Sequence, residues 1–366
     1  MSADEPSPLL RKLARRIASD GPLSVADFMA AALTDPEYGY YMGRDPLGAS
    51  GDFITAPEVS QMFGELIGLW CAEAWQALGA PPQVALVELG PGRGTLVADA
   101  RRAARQVPAF AAALRVHLVE VSPTLRARQE AALADAEPTW HETLAGVPEL
   151  PLLLIANEFF DALPVRQLVK QPGGWAERLV GLAAGGAPAL AFTLSPPDPG
   201  LGALVPDALR AAPPGRLFEV SPAGQEIVRA IARRLRSHGG AALIIDYGHE
   251  ESALGETLQA VRRHARHDVL SEPGTADLTC HVDFAALARA AREEGAAAHG
   301  PVAQGAFLER LGIAARAARL MERATPPQRE DIRSARLRLT APDQMGGLFK
   351  VLALTPEGAG RPAGFH

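Results

Sequence analysis

The chain has 366 residues, of which 48% are hydrophobic and 21% charged, with a net charge of −6. That length holds one large α/β domain or two average ones, and that composition excludes disorder as the main state. The acidic balance argues against a nucleic-acid surface driven by bulk charge, and two cysteines leave neither a disulfide framework nor a cysteine zinc site.

In chain order, residues 7–33 read as helices, with Leu9, Leu10, Leu13, Ala14 and Ile17 at helical spacing. Ser24 opens S-x-x-D, a capping signal for the apolar run that follows. Residues 35–57 hold three of the four tyrosines and several glycines without a clear period. A loop of that length carries function or is disordered, and its aromatics argue against disorder. Tyr41, Asp52 and Phe53 either line a substrate channel or pack as an aromatic loop under a lid. A helix is expected from about 58 to 78. From residue 83 short apolar β-rich runs alternate with helix-compatible stretches: 84–89, 115–121, 139–143, 152–159, 240–248, 296–305 and 347–355. The alternation predicts an α/β fold with a parallel sheet of about seven strands and helices on both faces. Residues 171–215, rich in Gly, Pro and Ala, read as an inserted hairpin or subdomain. The organisation expected is a helical lid region over 1–80 and a core over 81–366 carrying that insertion. His264 and His267, spaced i, i+3 in an Arg-rich stretch, read as a surface helix face; no partner stands at ligand spacing, so no metal is expected.

VALVELGPGRGT ends the first core strand with Glu88, Gly90, Gly92 and Gly94. Glycines there allow positive φ and close backbone approach to a ligand. A dinucleotide fingerprint needs a third small residue where Thr95 stands. The pattern present, E-x-G-x-G-x-G, is the glycine loop of class I S-adenosylmethionine methyltransferases. Glu120 ends the second strand, where an acid accepts hydrogen bonds from both ribose hydroxyls. NEFFDALP clusters Asn157, Glu158 and Asp161 beyond the fourth strand, where an open α/β sheet has its crevice. Asn157 and Asp161 also suit helix capping, but Glu158 before two phenylalanines reads as a site residue. Carboxylates there can align a methyl acceptor and accept its proton. Glu158 and Asp161 are the candidates, with Asp246 and Tyr247 shaping the crevice from the fifth strand.

The chain resembles the MidA family over roughly residues 7–355, through GYYM (39–42), GDFITAPEVSQMFGELIG (51–68), VELGPGRGTL (87–96), LVEVSP (118–123), ANEFFDALPV (156–165), IIDYG (244–248), PGTADLTCHVDF (273–284), FLERLGI (307–313) and MGGLFKVL (345–352). The resemblance implies a Rossmann-like seven-strand methyltransferase sheet in the order 3-2-1-4-5-7-6. It also implies S-adenosylmethionine as cofactor, an arginine-containing protein segment as substrate, and a part in complex I assembly. The N-terminal helices and the 51–60 loop would close over the cofactor, with Thr55 and Pro57 matching the family. His281 falls in a family motif and either lines the site or holds its loop. Ala56 stands where the family often has Ser, and Glu256 where it commonly has Asp. Two other readings compete: an assembly chaperone that binds the cofactor but acts through partners, and a dinucleotide-dependent oxidoreductase. No apolar run reaches the ~18 residues of a transmembrane helix, and the N-terminus has no signal-peptide h-region. Only Lys12, Lys170 and Lys350 stand against 33 arginines, which reads as the codon usage expected of a GC-rich bacterial genome. A cytoplasmic bacterial protein without a nucleic-acid partner is the expectation.

Overall fold

The computed structural model describes residues 7–43, 55–185 and 188–366; Asp52 and Phe53 lie outside the described residues. Val84–Leu89 is buried at every position because its alternate side chains enter two different cores. Ala85, Val87 and Leu89 pack with helices Pro222–His238 and Phe284–Glu293, while Val84 and Leu86 pack with helices Gln61–Ala77 and Thr95–Ala104. Burial on both faces is what a parallel sheet between two helical layers requires.

The sheet is built from β1 (Val84–Leu89), β2 (Leu114–Val119), β3 (Thr139–His141), β4 (Leu152–Asn157), β5 (Gly240–His249), β6 (Ala296–Ala303) and β7 (Phe349–Pro356). Its path runs β6-β7-β5-β4-β1-β2-β3. The first five pair in parallel, and β7 is antiparallel to both β5 and β6. A two-residue strand, Val282–Asp283, pairs with the end of β5 off this path, so the sheet has eight strands where about seven were expected. Helix Gln61–Ala77, within the expected 1–80 lid region, packs under this sheet; the Ser60 hydroxyl caps it.

A second sheet joins Arg166–Gln171, Gly174–Leu182, Leu190–Leu194 and Leu217–Val220 to the N-terminal pair Leu23–Ser24. The insertion is thus wider than 171–215, because Leu168 registers with Phe218 and closes it from both ends. A third sheet joins Gln259–Arg262, Ala265–His267 and Asp277–Thr279. The stretch read as a helix face carrying His264 and His267 is therefore a hairpin. Arg263 and His264 both take positive φ at its tip, 52° and 60°, the two-residue turn whose twist matches the strands. Helices Pro8–Asp20 and Val25–Thr34 pack on these two accessory sheets, sharing a core with Val180, Ala260, Leu278 and Cys280. Ser24 caps the second helix by accepting from the Asp27 amide at 2.9 Å. Three distant stretches of chain thereby form one cap.

Candidate active site

The carboxyl ends of β1, β2, β4 and β5 converge beneath the cap around a cavity of about 440 Å³. The turn after β1 is tight because Gly90, Gly92 and Gly94 all adopt positive φ, 61°, 55° and 81°. A β-carbon on Gly90 would meet the Phe159 ring at 2.9 Å, so the glycine also lets the loop lie against the exit of β4. The helix Thr95–Ala104 starts here at Gly94, which offers no side-chain cap, and the Val97 amide in its first turn donates to Glu88 instead. Glu58, on the short helix Ala56–Val59, latches this loop by accepting from the Thr95 hydroxyl, with Arg93 3.7 Å away.

At the exit of β2, Glu120 is buried, and burial raises its pKa above the usual carboxylate range. One of its oxygens accepts from the Ser122 amide at 2.8 Å and the other from the Gln129 side chain at 3.1 Å. Gln129 is fully buried and also donates to the Gly92 carbonyl at 2.7 Å, while accepting from the Trp140 indole at 2.8 Å. It ties the glycine loop to the acid. A lone Gln inside helix Pro123–Ala132 gave no sequence signal for this role.

The exit of β4 shows how a site residue is presented. Glu158 has φ 50°, a left-handed conformation uncommon outside glycine. The strain is held by Asp246, whose Oδ2 accepts from the amides of Phe159, Phe160 and Asp161 at 3.2, 2.9 and 3.1 Å. Its Oδ1 accepts from the Tyr247 amide at 2.9 Å. Asp246 has no exposed surface and does not line the cavity, so the expectation that it shapes the crevice directly is corrected: it supports the backbone beneath. Glu158 Oε1 accepts from the Ala56 amide at 2.9 Å and from Asn157 Nδ2 at 3.2 Å. Residue 56 contributes its backbone, so alanine serves where the family often has serine. Burial pushes Glu158 up to about 7, helped by the charge of Asp161, which is itself pushed to about 6. Glu88 rises to about 8, also by burial first.

The cap completes the cavity with Tyr41, Asp277 and Thr279, the last two missed by sequence reasoning, and Thr55 and Pro57 add to it from the start of the short helix Ala56–Val59. The Tyr41 hydroxyl donates to Asp277 Oδ1 at 2.8 Å. Tyr247 faces Asp161 and Thr279, and its ring packs edge-on against His281 and Phe349. His281 lies outside the cavity, beside a second, much smaller hollow, with its amide bonded to Thr257. Glu256 pairs with Arg178 away from the cavity. Gly94 does not line the cavity; its left-handed backbone starts the helix beside it. The remaining expected residues, Glu88, Gly90, Gly92, Glu120, Asn157, Glu158 and Asp161, all line it.

Seven acidic residues line this cavity against one basic residue, Arg93, among the described residues. Three buried acceptor atoms there lack a hydrogen-bond partner: Glu88 Oε2, Asn157 Oδ1 and Asp161 Oδ1. Orphaned buried acceptors are costly unless a ligand brings donors. The site therefore fits a cationic ligand rich in N–H and O–H groups, as S-adenosylmethionine is. No group of three or more potential ligands for a metal occurs among the described residues.

Comparison with known proteins agrees with this chemistry. The model of the S-adenosyl-L-methionine-dependent methyltransferase family Methyltransf_28 matches residues 66–302. "Protein arginine methyltransferase NDUFAF7, mitochondrial" of Mus musculus is 40% identical over 380 residues, covering 97% of this chain and 86% of the relative. The Homo sapiens protein of the same name is 38% identical, with the same two shares. A crystal structure of a Burkholderia thailandensis protein of a methyltransferase superfamily, bound to S-adenosyl-homocysteine, matches at a TM-score of 0.83. It is 29% identical and the match covers 97% of this chain and 93% of that one. The oxidoreductase reading, already strained at Thr95, falls with these findings. The chain belongs to the Methyltransf_28 family and is an S-adenosylmethionine-dependent methyltransferase.

Proposed function

We propose that this methyltransferase acts on arginine side chains of protein substrates. The observation that carries the reading is the excess of buried carboxylates in the cavity, with Glu158 and Asp161 within one turn of chain. A guanidinium supplies the positive charge those acids lack, and the relatives named above are arginine methyltransferases.

The residues divide the work. Gly90 and Gly92 give the backbone close approach, while Glu120, Glu88 and Asn157 offer acceptors for hydroxyl and amine donors. The cofactor supplies a methyl group made electrophilic by the sulfonium that carries it. Glu158 and Asp161 hold the guanidinium, draw its charge toward themselves and so free electron density on the far nitrogen. Glu158, raised to about 7, takes the released proton on its carboxylate near neutral pH. Thr55, Pro57 and Tyr41 roof the site, excluding water and strengthening each electrostatic contact beneath.

The seven-strand path supports the family order 3-2-1-4-5-7-6, with the antiparallel β7 inserted between β5 and β6. We divide the chain into a helical N-terminal lid over about 1–80 and a methyltransferase core from about 81, with the accessory sheets as the cap. A cytoplasmic bacterial location belongs to the same proposal. No helix among the described residues is long and apolar enough to cross a membrane. A part in complex I assembly rests on the resemblance alone. Mass spectrometry of methylated arginine in cells with and without the protein, joined to transfer of labelled methyl to candidate proteins in vitro, tests the reading. Arginine methylation that depends on the protein is expected. Label found only on other residue types would overturn it.

A further inference from the structure

Glu88, Glu120, Glu158 and Asp161 lie at the strand ends of the core. Asp277 does not: it opens a strand of the third sheet, next to Ala276 and Leu278, whose side chains pack in the cap. It is buried, with 6% exposure, and lines the same cavity as Glu158 and Asp161. Burying a carboxylate in an apolar cap is unfavourable unless it is bonded or meets a cation. Its bond to Tyr41 is one such contact, and Asp161 lines the same cavity as both.

Tyr41 is also bound at its other end. Its carbonyl accepts from the Ser122 hydroxyl at 2.5 Å, and the Ser122 amide donates to Glu120. A single residue thus spans the roof from the ribose-type acid of β2 to Asp277. This fixes where the cap carboxylate stands relative to the cofactor side of the cavity.

We propose that Asp277 is an acceptor-binding residue, a carboxylate supplied by the cap that, together with Asp161, receives the cationic end of the methyl acceptor. The assignment rests on the reading of a cationic acceptor given above. It makes the cap part of substrate recognition: an acceptor must be positively charged on the side that faces the third sheet as well as on the side that faces Glu158.

The test uses the full chain saturated with S-adenosylhomocysteine, with calorimetric binding of arginine amide and of its neutral isostere citrulline amide. Wild type is expected to prefer arginine amide. Asp277→Asn, which still accepts from Tyr41, is expected to weaken arginine amide about tenfold or more while leaving citrulline amide and S-adenosylhomocysteine within threefold. Asp277→Glu restores the charge and should recover part of the affinity. Equal binding of arginine amide by wild type and Asp277→Asn overturns the proposal, as does a wild type with no preference between the two probes. If Asp277→Asn no longer holds S-adenosylhomocysteine, Asp277→Ser takes its place, and failure of both makes Asp277 structural and overturns it too. An Asp277-dependent preference in a protein that methylates no arginine would leave this site standing and remove the arginine reading instead.

Discussion

Glu158→Gln is the most direct perturbation, because it changes charge and little else. The amide oxygen can still accept from the Ala56 amide and Asn157 Nδ2, now at 2.9 and 3.2 Å, so the cap and the β4 exit keep their contacts. Folding stability should move by no more than about 1 kcal/mol, and S-adenosylhomocysteine affinity by no more than about threefold. The rate should fall far more. Loss of a positioned base costs about 10²- to 10⁴-fold, or about 2.7–5.4 kcal/mol at 1.36 kcal/mol per decade. The pH profile provides a second, independent sign. Glu158 sits at about 7 in the ligand-free site, so below that pH the base already carries its proton. Wild-type kcat/KM for the cofactor should drop about tenfold per unit as pH falls below about 7. In kcat the break should lie lower, since cations in the cavity favour the ionised carboxylate. The variant should lack that break. The assay is labelled methyl transfer to an arginine-containing protein from pH 5.5 to 9, with calorimetry for S-adenosylhomocysteine. Turnover within threefold of wild type, or an unchanged break near 7, would refute the role of Glu158.

Three further outcomes follow from particular contacts. Asp246→Ala leaves the buried amides of Phe159, Phe160 and Asp161 without their acceptor, so a loss of about 3 kcal/mol or more is expected in denaturant unfolding; an unchanged midpoint would show that water replaces the carboxylate. Gly92→Val places a β-branched residue at φ 55°, at about 2 kcal/mol of strain or an equivalent loop shift, and S-adenosylhomocysteine should bind at least about 30-fold more weakly by calorimetry. Normal affinity would contradict the assignment of the glycine loop. The pH dependence of stability has a definite sign: Glu88, Asp161 and Glu158 have folded pKa values of about 8, 6 and 7, above their unfolded values. The folded state therefore binds more protons than the unfolded one between about pH 4 and 8, and their contribution to stability declines as pH rises through that window. Thermal unfolding of the ligand-free protein should show the decline, and Glu88→Gln should flatten its upper part; an unchanged slope would mean Glu88 is ionised.

What the sequence revealed of the site was whatever lay on one short stretch of chain. Glu88 with its glycines, Glu120, and Asn157 with Glu158 and Asp161 each stand at or just past the end of a strand, and the rule that ligands gather at strand carboxyl ends joins the three. Direction within such a stretch was harder. Asp246 also stands near the end of a strand, but its carboxylate turns into the backbone of the neighbouring exit, and nothing in IIDYG distinguishes an acid facing the ligand from one facing three amides. Gln129 escaped because its partners, Gly92, Glu120 and Trp140, come from three separate segments. The hairpin at 259–267 was misread because its turn uses Arg263 and His264 at positive φ, where Asn or Gly would have signalled it.

The cap shows the same limit on a larger scale. Its core brings Leu13 and Phe28 together with Val180 and Leu278, residues separated by well over a hundred positions. Leu23 and Ser24 register with Val180 and Leu179, a two-residue pairing too short for any periodicity to announce. Composition could mark 171–215 as an insertion, yet it could not say that the inserted strands fold back on the N-terminal helices. The packing of the cap sets Asp277 and Tyr41 in one cavity with the acids of the core. If the cap recognises the acceptor while the core holds the cofactor, the two can diverge separately. Substitutions in 166–220 or 257–279 should then shift which cationic substrates are accepted before they disturb S-adenosylmethionine binding.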